Sequence, residues 1–319
     1  MKIVIPGGTG QVGTVVARAF HAAGHEVVVL SRAPRPKPWR VAGWDGWSAG
    51  NWTREIDGAD VVINLAGRSV NCRYNAANRR EMIDSRVLST RIVGEAIGAA
   101  PHPPRLWLQA STATIYAHRF DAPNDERCGL LGGHEQNAPD TWRFSIDVAQ
   151  AWERTFDAAT TPRTRKVAMR SAMTMSPDPG GVFDTLLALV RYGLGGRSGD
   201  GRQFVSWIHH EDFVAAIRWL IDREEFEGVV NLASPNPVPN GEFMRAIRAA
   251  WGMPVGLPAS EWMLEVGAVF LKTETELILK SRRVVPGRLL ESGFTFRHPL
   301  WSEAARDLCG RARQQLKAA

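Results

Sequence analysis

The chain has 319 residues, enough for one large domain or two, and its 44% hydrophobic and 23% charged residues are those of an ordinary soluble globular protein. Its net charge of +6 comes from basic residues scattered singly along helices and loops, so nucleic-acid binding is not expected. No stretch approaches ~20 unbroken apolar residues, so no membrane span is expected either.

Cys72, Cys128 and Cys309 are odd in number and far apart, without metal-ligand spacing. They read as free thiols in a reducing compartment, and no metal centre is expected. The first residues, MKIVIPGGTG, lack the pattern of a signal peptide, which makes a cytoplasmic location the expectation.

In chain order, KIVIP, EVVVL, ADVVINLA, RLWLQA and KVAMRSA read as buried strands, rich in Val and Ile and apolar without alternation. Helical patterns at 11–23, 79–99 and 142–159 lie between them. In the first, Val12, Val15, Val16, Ala19 and Phe20 form one apolar stripe. Such alternation predicts an α/β fold, a doubly wound, Rossmann-like parallel sheet covered on both faces. APRPKPW (33–39) and SPDPGG (176–181) are loops. Helical patterns follow at 182–192 and 212–222, with strands at FVSWI (204–208) and VVNLA (229–233). From 236 the sequence turns helix-rich, which divides the chain into a dinucleotide-binding domain, 1–235, and a smaller helical C-terminal lobe, 236–319, closing the substrate cleft.

KIVIP-GGTGQVG-TVVARAF is strand, glycine turn and helix. Gly8, Gly10 and Gly13 satisfy G-x-G-x-x-G, and Gly7, Gly10 and Gly13 a second glycine spacing. Glycine allows a pyrophosphate to approach the backbone at the helix N-terminus, where free N–H groups and the helix dipole favour negative charge. Gln11 and Val12, between these glycines, belong to the same candidate site. The second strand ends Leu30-Ser31-Arg32 rather than in an acidic residue. A hydroxyl and a guanidinium suit a 2′-phosphate, so NADP(H) is expected over NAD(H).

With GGTGQVG, SR after the second strand, NLAG (64–67) and STATIY (111–116), the chain resembles the extended, epimerase-like branch of the short-chain dehydrogenase/reductases. SGDGRQFVSWIHHEDFVAAI and RRVVPGRLLESGFTF narrow the resemblance to an atypical nucleotide-sugar-epimerase-like family with its own short helical C-terminal domain. The resemblance runs from residue 2 to about 300. It implies that Gly7, Gly10 and Gly13 cradle a pyrophosphate, and that Ser31 and Arg32 hold the 2′-phosphate. Leu65, Ala66 and Gly67 would line the adenosine and ribose side, Glu81 and Arg86 would contact the cofactor, and Met173 would lie near the nicotinamide. Thr112 would be the catalytic Ser/Thr, helped by Ser111.

One motif departs from the pattern. Active relatives use Y-x-x-x-K on the following helix, where Lys lowers the pKa of a Tyr that exchanges a proton. By spacing to Trp152-Glu153, those positions are Ser145 and Ala149 here, and none of the three tyrosines is followed by Lys four residues later. Val205 also stands where an Arg would grip a sugar-nucleotide diphosphate.

HHED (209–212) places Asp212 at an expected helix N-cap, with His209 read either as a cleft acid or base or as a structural histidine. Tyr116 is expected to pack and Asp125-Glu126 to lie in a solvated loop, while Trp44, Trp47, Trp152 and Trp207 are read either as lining a pocket or, as is more usual for Trp, as core or interface. The expectation is an epimerase-like oxidoreductase taking a small hydroxy or carbonyl substrate, with a non-catalytic NADP(H) sensor as the alternative. A homodimer is an assembly open to either.

Overall fold

The computed structural model describes residues 1–136, 138–260, 263 and 274–318. Its first element is β1 (Lys2–Pro6), whose Ile3, Val4 and Ile5 are wholly buried, leading through the glycine turn into α1 (Gln11–Ala22). Next come β2 (Glu26–Ser31), β3 (Arg40–Gly43), the short α2 (Thr53–Ile56), β4 (Val61–Asn64), α3 (Ala76–Ala99) and β5 (Leu106–Thr112). A 3-10 turn, Ala113–Ile115, closes β5 before α4 (Asp140–Asp157) and β6 (Arg165–Ser171). The chain continues through β7 (Met173–Met175), α5 (Val182–Arg191), β8 (Phe204–Val205), β9 (Trp207–His209), α6 (His210–Asp222) and β10 (Gly228–Leu232). After β11 (Val238–Pro239) come α7 (Asn240–Trp251), α8 (Glu276–Leu279), α9 (Gly287–Glu291) and α10 (Trp301–Ala318).

Seven strands form one parallel sheet in the order β10-β6-β5-β4-β1-β2-β3. The connection reverses direction between β1 and β4, and in open α/β sheets ligands bind at the carboxyl ends of the strands beside such a switch. The Val- and Ile-rich strands are apolar on both faces because both faces are covered. Val16, Phe20, Ile217, Leu220 and Ile221 cover one, and Ile92, Val93, Ile97 and Phe156 the other.

FVSWI does not form one strand. Ser206 interrupts it: its hydroxyl donates to Arg282 O at 2.6 Å and accepts from Val284 N at 2.8 Å. The flanking pieces then pair with different partners, β8 antiparallel to β11 and β9 parallel to β7. A buried hydroxyl that engages two backbone groups of a distant segment breaks the ladder and keeps those groups satisfied.

The C-terminal segment packs in two directions. Leu289, Phe294 and Phe296 join the core over the sheet, while Trp301, Ala305 and Leu308 of α10 pack with Phe183, Trp207, Phe243 and Ile247. Among the described residues no helix is long and apolar enough to cross a membrane.

Candidate functional site

The glycine turn after β1 is shaped by close backbone approach. Gly7 has φ +73°, and a methyl group there would lie 2.6 Å from Ala66 Cα. One at Gly13 would lie 2.5 Å from Gly8 Cα, so neither position admits a side chain without displacing backbone. Gly10 caps α1 without any side-chain acceptor, and the first turn holds no acidic residue. The free N–H groups of that turn are left for an anion. Gln11 Nε2 is buried without a hydrogen-bond partner among the described residues, and Val12 packs against the sheet core. Across the turn, Leu65 N donates to Pro6 O at 2.9 Å and Ala66 N to Asn64 Oδ1 at 3.1 Å. This cradle fits a pyrophosphate.

Ser31 ends β2 buried, its hydroxyl accepting from Ala33 N, while Arg32 is exposed and has no partner among the described residues. Arg86 is buried against Gly67 and over the Trp152 ring, donating among the described residues only to the carbonyls of Met82 and Arg68. Burial pulls its pKa down to about 10. Glu81 points outward instead, paired with Arg68 at 2.9 Å. Met173 is half-buried on β7.

At the carboxyl end of β5, Ser111 and Thr112 part company. Ser111 Oγ donates to Glu153 Oε1 at 2.5 Å, and Glu153 also holds Arg170 through two bonds of 2.8 and 2.7 Å. Ser111 is therefore tied into a buried network rather than turned to a substrate. The half-buried Thr112 accepts from Thr114 N at 3.1 Å.

Ser145, on α4, is turned inward: its hydroxyl donates at 2.5 Å to Glu276 Oε2, on the first residue of α8. Glu276 Oε1 accepts from Arg282 Nη2 at 3.2 Å, and Arg282 Nε reaches Thr114 Oγ1 at 3.2 Å. Thr114 thus links the two groups, its backbone N bonded to Thr112 and its side chain to the Arg282–Glu276 ion pair that holds Ser145. Lys280 lies alongside, donating to Thr114 O at 2.9 Å. Burial first, then the Arg282 guanidinium, bring its pKa down to about 8. Ala149, where a relay lysine would stand, is sealed among Ala113, Ile115, Tyr116, Ala172, Ala233 and Val284.

Several expectations need correction. Asp212 does not cap α6; His209 does, its Nδ1 accepting from Glu211 N, while Asp212 accepts from Arg297 N and His298 N. His209 is wholly buried, 3.1 Å from Asp307 through Nε2 and with its ring centroid 3.8 Å from that of His298. Burial, then the neighbouring His210 and His298, push its pKa down to about 2, so it is a structural histidine and not a cleft base. His209, His298 and Asp307 bring three ligand-type atoms within 4.8 Å, but Asp307 Oδ2 is already held by Arg311 Nε at 2.7 Å. A guanidinium stands where a cation would bind.

Glu126 is half-buried and accepts from Asn231 N and Arg288 N, so it braces the sheet edge rather than a solvated loop. Tyr116 packs, and its hydroxyl also donates to Asn231 Oδ1. The four tryptophans do not share a pocket: Trp44 packs on Trp52, Trp47 is exposed, Trp152 donates to Thr90 and Trp207 packs on Trp301. Trp262, in the C-terminal lobe expected to close the cleft, lies outside the described residues.

A family model described as the NAD dependent epimerase/dehydratase family matches residues 3–233. The chain belongs to this family. A second family model, a domain of unknown function (DUF1731), matches residues 259–308. The bovine epimerase family protein SDR39U1 is 31% identical, over 97% of this chain and 99% of its own. The crystal structure of human SDR39U1 isoform 2 with NADPH superposes with a TM-score of 0.84 at 28% identity, covering 97% of this chain and 99% of that one. A nucleoside-diphosphate sugar epimerase from Corynebacterium glutamicum gives 0.74 at 27% identity, covering all of this chain and 61% of that one.

Within this NAD(P)-binding, epimerase-like fold, sequence reasoning passed over four groups: Glu153, Glu276, Lys280 and Arg282. Glu153 served only to mark spacing along α4. The other three lie in ELILKSRRVV (276–285), where charges are interleaved with apolar residues. Charged residues in an otherwise apolar run are the available signal, since such charges fold inward only when paired.

Proposed function

We propose that the protein binds NADP(H) and acts as an epimerase-like oxidoreductase on a small hydroxy or carbonyl compound, without a tyrosine–lysine proton relay. The observation that carries this reading is the glycine cradle, in which Gly7 and Gly13 leave no room for any side chain beside the uncapped start of α1. The phosphorylated cofactor is supported by Arg32, exposed and without a partner among the described residues, and by the NADPH in the human relative.

Bound there, the nicotinamide would supply or accept the hydride. The chain's own groups would do the rest. Gly7 to Gly13 hold the diphosphate, Ser31 and Arg32 grip the 2′-phosphate, and Thr112 orients the substrate oxygen. Ser111 acts one step back, by fixing the end of β5 to α4 through Glu153. Loss of general acid–base assistance lowers a rate by ~10²–10⁴-fold, so turnover is slow. Val205 offers nothing to a diphosphate, which argues for a substrate other than a nucleotide sugar.

A non-catalytic NADP(H) sensor is the second reading, favoured by one observation: Ala149 is walled in by apolar side chains, so no lysine could be accommodated beside the cofactor. Stopped-flow NADPH oxidation across a library of ketones and aldehydes separates the two. Tight NADPH binding with slow oxidation, reduced further by Thr112→Ala, supports the enzyme. Tight binding with no oxidation of any carbonyl supports the sensor, and failure to bind NADPH overturns both.

A further inference from the structure

Exposed apolar side chains are ordinary when scattered singly and informative when they adjoin. Helix α5, VFDTLLALVR, carries more of them than its core contact uses. Phe183, Leu187 and Val190 pack with Trp207 and Phe243. Val182, Leu186 and Leu189 fall within about 60° of arc on the flank of that face, where a surface helix normally carries charge. They are left exposed or half-buried. Past the helix end come Tyr192, 81% exposed, and Leu194, 52% exposed. A second loop lies against this one: Leu257 N donates to Gly193 O at 2.8 Å, and Gly196 N to Leu257 O at 3.2 Å. It adds Val255 and Leu257, both more than half exposed.

The fold gathers around these loops arginines that the sequence scatters. Over 191–202 and 242–259 stand five, Arg191, Arg197, Arg202, Arg245 and Arg248, against two acids, Asp200 and Glu242. Four of the five are exposed, and the half-buried Arg248 braces the first loop by donating to Gly195 O at 2.6 Å. From α10, Arg313 joins them over the Trp251 ring. The one acid of α5, Asp184, lies at the other end of the helix and accepts from Gly180 N.

We propose that α5 and the loops 192–197 and 253–258 form a peripheral docking surface for an anionic lipid membrane. Tyr192, Leu194, Val255 and Leu257 enter the interface, and the arginines engage the headgroups. Charge selects this occupant. Two copies of the chain meeting through the same surface would set one basic rim against another, which costs free energy. An amphipathic partner helix fits a groove, whereas these side chains project from loops. Lipid tails need no preformed pocket, and a Tyr ring keeps its hydroxyl at the headgroup level. Arginines pair with lipid phosphates while their stems lie along apolar surface. Such contact needs no spanning segment, and it is independent of the cofactor and substrate reading above.

The test is co-sedimentation of the full-length protein with vesicles of phosphatidylcholine alone and of phosphatidylcholine with phosphatidylglycerol. Partition onto the anionic vesicles should be at least ~10-fold stronger at low salt, since each arginine at such a surface contributes several-fold. The difference should fade at ~0.5 M salt, where charges are screened within a few ångströms. Leu194→Ser combined with Leu257→Ser should weaken binding to the anionic vesicles by at least ~10-fold, by removing apolar area that enters the interface. Both side chains are more than half exposed, so Tm should stay unchanged. Arg197→Ser combined with Arg245→Ser should bring the two kinds of vesicle close together, and it carries the test if the leucine pair does not fold. Trp47→Ser, a residue 54% exposed on the loop after β3, should bind as the unaltered protein does. Absence of binding to anionic vesicles overturns the proposal, as does equal binding to both kinds. So does binding undiminished in the leucine pair, or diminished as much by Trp47→Ser. A concentration-dependent dimer in light scattering that the leucine pair dissolves would assign the surface to a second copy and overturn it too.

Discussion

The Ser145 hydroxyl donates to the Glu276 carboxylate at 2.5 Å, joining helix α4 of the sheet domain to the first residue of α8. The helix position to which the resemblance assigns a proton-exchanging phenol is thus tied to a carboxylate from the far end of the chain. The polarity at Ser145 thus depends on a residue from the C-terminal segment.

Arg32 is expected to govern cofactor choice. NADPH should bind at least ~10-fold more tightly than NADH, a difference of about 1.4 kcal/mol. Arg32→Asp should abolish or invert that preference by replacing a cation with an anion that repels the 2′-phosphate and suits a free hydroxyl. Fluorescence titrations with both nucleotides measure it, and equal affinities in the unaltered protein would sink the idea.

Restoring the missing lysine should harm the protein. Ala149 is wholly buried in an apolar cluster, and Ala149→Lys places a charge there without a partner. The expected loss is about 3 kcal/mol or more, seen as a fall in Tm, and adding Ser145→Tyr should not recover it because the phenol meets Glu276. An undiminished Tm would mean that the cluster can open to solvent.

The histidines at the start of α6 set an acid limit. Burial first, then the neighbouring His210 and His298, depress His209, and burial with the Arg311 guanidinium brings His210 down to about 4. In the unfolded chain both titrate near ~6.5, so below that pH the unfolded state binds more protons than the folded one. Stability should be fully present above pH ~6.5 and fall as the pH drops toward 4, by up to ~1.4 kcal/mol per pH unit for each histidine. His210→Gln should flatten part of that slope. Thermal melts at pH 7.5, 6, 5 and 4.5 check it, and a level profile between 6.5 and 5 would show that these rings are protonated in the fold.

Removing the residues beyond 235 should give insoluble protein. Leu289, Phe294 and Phe296 belong to the same core as Ile3, Val29 and Ile217, so truncation uncovers an apolar face on the sheet domain. A soluble truncated chain that still binds NADPH would show that this face is covered in another way.

What could be read from the sequence was local. KIVIP, EVVVL and KVAMRSA are visible because a strand buried on both faces must be apolar throughout, and the glycine turn because its constraint spans a few residues. FVSWI misled because the reason for its break, Ser206 bonded to Arg282 and Val284, lies 76 and 78 residues away. His209 and Asp212 exchanged roles for a similar reason. Asp212 has the usual composition of a cap, but the backbone of 297–298 claims its carboxylate and leaves the imidazole to cap the helix. The pairing of Glu276 with Ser145 could not be read because nothing in its neighbourhood along the chain specifies Ser145.

The insertion of Leu289, Phe294 and Phe296 into the core of the sheet has a consequence for biosynthesis. A ribosome releases the seven strands by residue 232, yet the apolar face that these three side chains seal stays open until they emerge from the exit tunnel. At ~5–20 residues per second that interval lasts on the order of several seconds, long enough for a nascent chain to be captured by a holdase or by a neighbour on the same polysome.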